Sequence, residues 1–314
     1  MPERFYSLFV KSEHRRSVFA MLLGSSLIAL GPFFVEFSLV SAETNTFYRL
    51  LLGALFFISF TFFKKELTVN PKFLAISALG GSLLVLDLFL WNQSVLYLGA
   101  GLSTVLSNIE IFFLVFIGKI YFSEKTPAKF FILCIFIAIG IGALLFPIIP
   151  ELTWTSLVGI ILALGASFSY ALYLFSIKYI SKKFPEQTST GTLAVICLTG
   201  CLLLGGIIFT HDIKMFIIPS WHSIICILAN SVLSQIIAWW FISKAIVRLS
   251  LSLSGLLLLM QPALTFFLDC LFLSRNTHWL QLTGSICLLG SVYMASQNQQ
   301  LQKELHESNH SNRG

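Results

Sequence analysis

Charge is what this sequence has least of. Only 11% of its 314 residues are Asp, Glu, Lys or Arg, less than half the roughly 25% of an ordinary soluble domain. It has no polar stretch long enough to house a separate soluble domain, and its apolar runs lack the alternation that marks membrane strands. The first absence excludes a water-solvated fold of this size, and the second excludes a β-barrel. HExxH, Walker, GxGxxG and nucleophile-elbow patterns are also missing. All six cysteines (Cys134, Cys197, Cys201, Cys226, Cys270 and Cys287) fall in apolar runs or at their edges, so no disulfide framework is expected. Cys197 and Cys201 share a helix face, but two thiols make a poor metal site. Neither a metal nor a cofactor is expected.

What is there is apolar surface. Hydrophobic residues make up 56% of the chain and the mean hydropathy is +0.86. Ten runs stand out, at about 18–40, 46–63, 73–98, 102–121, 130–149, 154–177, 191–210, 221–242, 249–273 and 279–296. Each is near the ~20 residues that a helix needs to cross a bilayer. Lipid offers the backbone no hydrogen bonds, so such runs must be helical. The reading is an all-α membrane protein of ten transmembrane helices.

The formal charge of +6 would suit nucleic acid, but its distribution points elsewhere. With the N-terminus inside, 17 of the 20 basic residues fall in cytoplasmic segments. Lys214 and Arg275 lie outside, and Arg49 lies within a span. This is the positive-inside pattern. It gives both termini a cytoplasmic position and a multi-pass inner-membrane location, with lipid and a small molecule as partners and no nucleic acid. Lys11, Arg15 and Arg16 before an apolar run also resemble a signal peptide ending near Val40-Ser41-Ala42. That run is longer than such peptides carry, and removing it would break the charge alternation.

Shifting the chain by 151 residues lays Leu102–Thr126 over Leu253–Thr277, matching Ser103 with Ser254, Leu106 with Leu257, Phe116 with Phe267, and Ser123 with Ser274. Five spans per half is an odd number, so the halves enter the membrane from opposite sides. Inverted repeats are a carrier architecture. The segments are a basic N-terminus (1–17), a first five-helix repeat (18–149), a second (154–296) and a polar cytoplasmic tail (297–314). One chain holds both halves, so a monomer is sufficient and a dimer is not required.

Phe47-Tyr48-Arg49 followed by Gly53-Ala54, the small-residue start of the fourth span, the Phe122-Ser123-Glu124-Lys125 turn, and the Gln261-Pro262 span ending at Leu273-Ser274-Arg275 together resemble the drug/metabolite transporter superfamily, of the EamA-like ten-helix type. The resemblance covers about 18–296. It implies transport of small metabolites, among which amino acids, drugs, nucleotide-linked compounds and S-adenosylmethionine occur in similar proteins. The chain departs from the family pattern in having Glu110-Ile111 where Glu-Pro is common, and Arg275 where an acidic residue is frequent.

An ionisable side chain at mid-bilayer costs about 2.5–3.5 kcal/mol, so Glu36, Arg49, Asp87, Glu110 and Asp269 should face a cavity or one another. At about 1.5 Å per residue, Asp87, Glu110, Asn230 and Gln261 come near mid-membrane. Helical spacing adds Trp91 and Asn92 beside Asp87, Ser107 and Asn108 beside Glu110, Gln235 beside Asn230, and Tyr170 from the sixth span. These ten are the expected substrate-binding residues. Glu36 and Arg49, nearer the outer end of adjacent spans, are expected to form an ion pair or outer gate. Ser, Thr and Gly stripes also serve as packing surfaces, and terminal aromatics such as Trp154, Trp221 and Trp279 form interfacial belts.

Carboxylates, amides and aromatic rings suit a cationic or zwitterionic cargo bearing a ring. The expected activity is secondary transport by alternating access, with S-adenosylmethionine, exchanged for S-adenosylhomocysteine, as the specific candidate. Export of an amino acid or aromatic drug is the alternative cargo. A membrane-embedded enzyme is the alternative class and would need an acid/base partner set that the sequence does not display.

Overall fold

The computed structural model describes residues 2–66, 70–124, 128–145, 154–272 and 279–297. The described residues form thirteen α-helices and no strand. In chain order they are α1 (Pro2–Ile28), α2 (Gly31–Phe37), α3 (Ala42–Phe63), α4 (Pro71–Ser107), α5 (Glu110–Phe122), α6 (Ala128–Leu145), α7 (Trp154–Lys183), α8 (Ser189–His211), α9 (Trp221–Asn230), α10 (Ala238–Arg248), α11 (Leu251–Leu258), α12 (Met260–Phe272) and α13 (Trp279–Gln297). Six stretches are long and apolar enough to cross a membrane: Glu13–Phe37, Ala42–Phe63, Pro71–Leu98, Trp154–Lys183, Ser189–His211 and Trp221–Arg248. Two shorter apolar helices are Phe131–Ala143 and Leu251–Thr265. The polar tail beyond Gln297 and the Leu273-Ser274-Arg275 turn lie outside the described residues, as does the side chain of Asp269.

The packing suits lipid. Phe19, Leu55, Phe62, Ile135 and Leu202 point outward, while Ser25, Asn45, Ser167, Asn230, Ser234 and Gln235 are buried. Water would reward the opposite arrangement; a bilayer rewards this one. Helix α4 packs along α7, α3 along α8, α1 along α10, α6 along α13, and α5 against α11. Glycines set several of these approaches: a Cβ on Gly24 would sit 2.9 Å from the Ala238 carbonyl oxygen, and one on Gly255 would sit 2.7 Å from Leu114.

Four irregularities interrupt the helices. Pro32 lacks an N–H and separates α1 from α2. The exposed backbone is partly capped by side chains from elsewhere. Ser234 Oγ donates to the Leu27 carbonyl at 3.1 Å, and Thr265 Oγ1 donates to that of Ala29 at 3.1 Å. Ser234→Ala removes one of two donors to the Leu27 carbonyl, which keeps the Leu30 N–H at 3.3 Å, and thermal unfolding in detergent should register a loss of about 1 kcal/mol, the net worth of one hydrogen bond. A second break, at Asn108–Ile109, separates α4 from α5. The sequence places the boundary near 99–101, but the helix runs through it because neither proline nor a capping side chain stops it there. A third falls at Leu259, between α11 and α12. The fourth is a π-helical turn at Ser231–Ile237 between α9 and α10, a feature frequent at functional sites.

Candidate functional site: a polar cluster at the helix breaks

The carboxyl groups of Asp87 on α4 and Glu110 on α5, the guanidinium of Arg49 on α3, and the phenols of Tyr170 and Tyr173 on α7 lie close enough to interact electrostatically. Cys197 on α8 joins them. Glu110 is buried and is the first residue of α5, where the positive end of the helix dipole meets its carboxylate. Rings frame the group: Tyr170 and Tyr173 lie 5.9 Å apart between centroids, and Tyr173 meets Trp239 edge-on at 5.0 Å.

Gln235 reaches this region from the π-helical turn. Its Nε2 lies 3.2 Å from Cys197 Sγ. The absence of a side chain on Gly53 makes room for both, since a Cβ there would come within 2.8 Å of Gln235 Cγ. Nearby, Asn230 Nδ2 donates to Asn45 Oδ1 at 2.7 Å.

Several of these groups carry a buried atom with no hydrogen-bond partner: Arg49 Nε, Tyr173 OH, Gln235 Oε1, Asn45 Nδ2 and Asn230 Oδ1. Each unsatisfied buried polar group costs about 1–3 kcal/mol, so these groups make the region between the helices suited to a polar occupant. The cluster holds one guanidinium, beside Asp87, and a second carboxyl group, Glu110, beside Asp87 as well. The cluster is charge-balanced only when one carboxyl carries a proton or a cation lies beside it.

Among the residues singled out from sequence, Asp87, Glu110, Tyr170 and Arg49 come together, and Gln235 meets the cluster through Cys197. Asn230 is buried next to it against Asn45. Asn92 is directed elsewhere: its Nδ2 donates to Glu43 Oε1 at 3.1 Å, at the start of α3. Ser107 Oγ donates back to the Ser103 carbonyl of its own helix at 2.9 Å. Trp91, Asn108 and Gln261 are half-buried.

The Glu36–Arg49 ion pair is not made. The salt bridges among the described residues are Lys178–Glu124 and Arg248–Glu13. Glu36 is exposed near the end of α2, whereas Arg49 lies two turns into α3 with Asp87 as its acidic neighbour. Helix α2, which carries Glu36, packs against α9 and α12.

Cys197, Asn45 and Trp239 are components that sequence reasoning passed over. Cysteine in an apolar helix reads as packing, and only the spacing of Cys197 from Arg49 in three dimensions distinguishes it.

Comparison with known proteins agrees with this architecture. No curated protein matches the chain in sequence. Among the solved structures that share the fold, one crystal structure matches with a TM-score of 0.71 over 91% of this chain and 97% of that one at 12% identity. Residues 157–297 match the model of the EamA-like transporter family. This match covers the second part of the chain, and with the long apolar helices it supports placing the chain among helical membrane proteins of the drug/metabolite transporter superfamily.

Proposed function

We propose that the chain is a secondary transporter of ten spans in two inverted five-helix repeats, which moves a small zwitterionic or cationic metabolite through the Arg49–Asp87–Glu110 cluster by alternating access. The observation that carries this reading is the collection of buried, unpartnered polar groups around that cluster. The helix breaks support the repeat. Asn108, between α4 and α5, and Leu259, between α11 and α12, are 151 residues apart (259 − 108), the same shift that aligns the two halves. Broken helices around a midplane site are how inverted-repeat carriers expose backbone and dipoles to a cargo. The basic residues put both termini in the cytoplasm of a cell with an inner membrane.

Chemistry narrows the cargo. Arg49 is a fork suited to a carboxylate, and the surplus carboxyl group is suited to a cation. An α-amino acid head supplies both charges. S-adenosylmethionine adds a sulfonium that balances the remaining negative charge and an adenine for Tyr170, Tyr173 and Trp239. S-adenosylhomocysteine lacks the sulfonium, so its return would require a proton on Asp87 or Glu110 in its place. Amino acids and aromatic cations are the comparison cargos.

The test is uptake into proteoliposomes of labelled S-adenosylmethionine and a panel of amino acids, with and without a pH gradient and internal product. Saturable uptake is expected for a zwitterion or cation. Asp87→Asn and Glu110→Gln should each cut it by roughly tenfold or more, the scale of one lost charged hydrogen bond, and at least one should flatten its pH dependence. Full uptake with an unaltered pH profile in both variants would remove the cluster from the mechanism.

A further inference from the structure

Glu124 and Lys178 stand apart from the central cluster, at the end of the molecule rich in basic residues. Their side chains are fully buried and paired at 2.9 Å. The pair is a node rather than a simple bridge. Glu124 Oε1 accepts the Leu251 N–H at 2.9 Å, and Oε2 accepts from the Ser252 N–H at 3.4 Å and the Ser252 hydroxyl at 3.3 Å. Lys178 Nζ donates to the Leu249 carbonyl as well, and lies 5.2 Å from the centre of the Phe122 ring. One carboxylate thus caps the first turn of α11, while one ammonium closes the end of α10.

Local sequence produces this arrangement. Ser123 ends α5 in the left-handed conformation (φ 49°, ψ 34°), which folds the chain back so that the Glu124 N–H reaches the Gly118 carbonyl at 3.1 Å. The Glu124 carboxylate then lies against Gly118, where a Cβ would stand 2.5 Å from Oε2. The missing side chain is the carboxylate's seat.

We propose that this node is the cytoplasmic gate latch of the transporter: it holds the basic end closed and comes apart when that end opens. The inference rests on the alternating-access reading and adds to it the residues that make the closure. Three observations carry it. First, Glu124 belongs to the first half of the chain and its partners Lys178, Leu251 and Ser252 to the second, so the node spans the surfaces that must separate. Second, closure beside it is complete, because every residue of α11 from Leu251 to Leu258 is buried. Third, an ion pair has the energetics of a latch. Ions lose hydration when buried and regain it when water enters, so the intact pair can part without a large penalty, whereas loss of one partner leaves a buried charge that disfavours the closed state. An apolar plug of the same size would pull the gate shut in proportion to its area.

The experiment uses Ser254→Cys as a reporter, a small change within α11. Labelling by a membrane-impermeant maleimide is followed in inside-out vesicles, with site-resolved mass spectrometry and no substrate present. Native Cys226, buried in α9, serves as the control. Lys178→Met removes the ammonium. Gly118→Ala keeps both charges and displaces only the flexible carboxylate, which covers the case in which Lys178→Met fails to fold. The latch predicts that labelling at 254 rises by roughly tenfold, a modest population shift between two states, while Cys226 is unchanged. Unchanged labelling at 254 in folded Gly118→Ala, or a parallel rise at both sites, overturns it. Because no cargo is needed, a wrong substrate leaves the result intact.

Discussion

Arg49→Leu is expected to eliminate measurable uptake, the largest effect of any single substitution in the site. It removes the cation beside Asp87, the carboxyl group that in turn neighbours Glu110. Truncating one partner of a buried charged pair costs about 2–5 kcal/mol, because the charge left behind stays desolvated. That corresponds to upwards of roughly thirtyfold in binding alone. Arg49→Lys should recover part of the activity, since it restores charge without the planar fork. Glu36→Gln should leave uptake at the level of the unaltered protein, since Glu36 is exposed and unpaired with Arg49 in this conformation. Saturation curves for the three variants, normalised to folded protein, decide the matter. If Glu36→Gln were as damaging as Arg49→Leu, the pairing drawn from sequence would have to be restored for another state of the cycle.

The largest expected effect on stability comes from one hydrogen atom. A Cβ at Gly81 on α4 would lie 2.7 Å from the Ile196 carbonyl oxygen and 3.0 Å from Thr199 Cβ, both on α8. A backbone oxygen has no rotamer to retreat into, so Gly81→Ala must push α4 away from α8. Overpacking of this kind costs about 1–3 kcal/mol, and repeated contacts along the same interface would be lost with it. Gly206→Ala is the control, because no atom lies within 4 Å of its added methyl and alanine is the better helix former. Thermal unfolding in detergent should show Gly81→Ala melting well below Gly206→Ala. Equal midpoints would mean that the α4–α8 contact is looser than the structure has it.

The helices were readable from the sequence, because lipid imposes a rule with no exceptions: an apolar run of the right length must satisfy its own backbone. Thus Ala42–Phe63 and Ser189–His211 emerge close to where hydropathy puts them. Asp87 and Glu110 were legible for the same reason, since a mid-span carboxylate needs a neighbour. What could not be read was which neighbour. Two adjacent spans offered Glu36 and Arg49 as a natural couple, but pairing depends on helix rotation and on the kink at Pro32, and hydropathy carries neither. Glu124 and Lys178 were hidden differently. Both sit near span ends among other charged residues, where a solvated surface is the ordinary expectation, and only the αL turn at Ser123 with its seat at Gly118 buries them. The π-helical turn left no local signal in Ser231–Ile237, a run of common helix residues.

That turn also resolves a problem of phase. Along the span from Trp221 to Arg248, the buried positions Cys226, Asn230, Ser234, Ala238, Ile242 and Ile246 recur every four residues. A regular helix turns by about 100° per residue, so each four-residue step overshoots by roughly 40°. Five such steps would carry the stripe to the opposite side of the helix, turning Ile246 towards lipid if Cys226 faced the core. A π-helical turn winds more slowly than its neighbours and takes out much of that excess in one place. The span therefore behaves as two gratings brought back into register by a dislocation, and Gln235 sits on the dislocation itself.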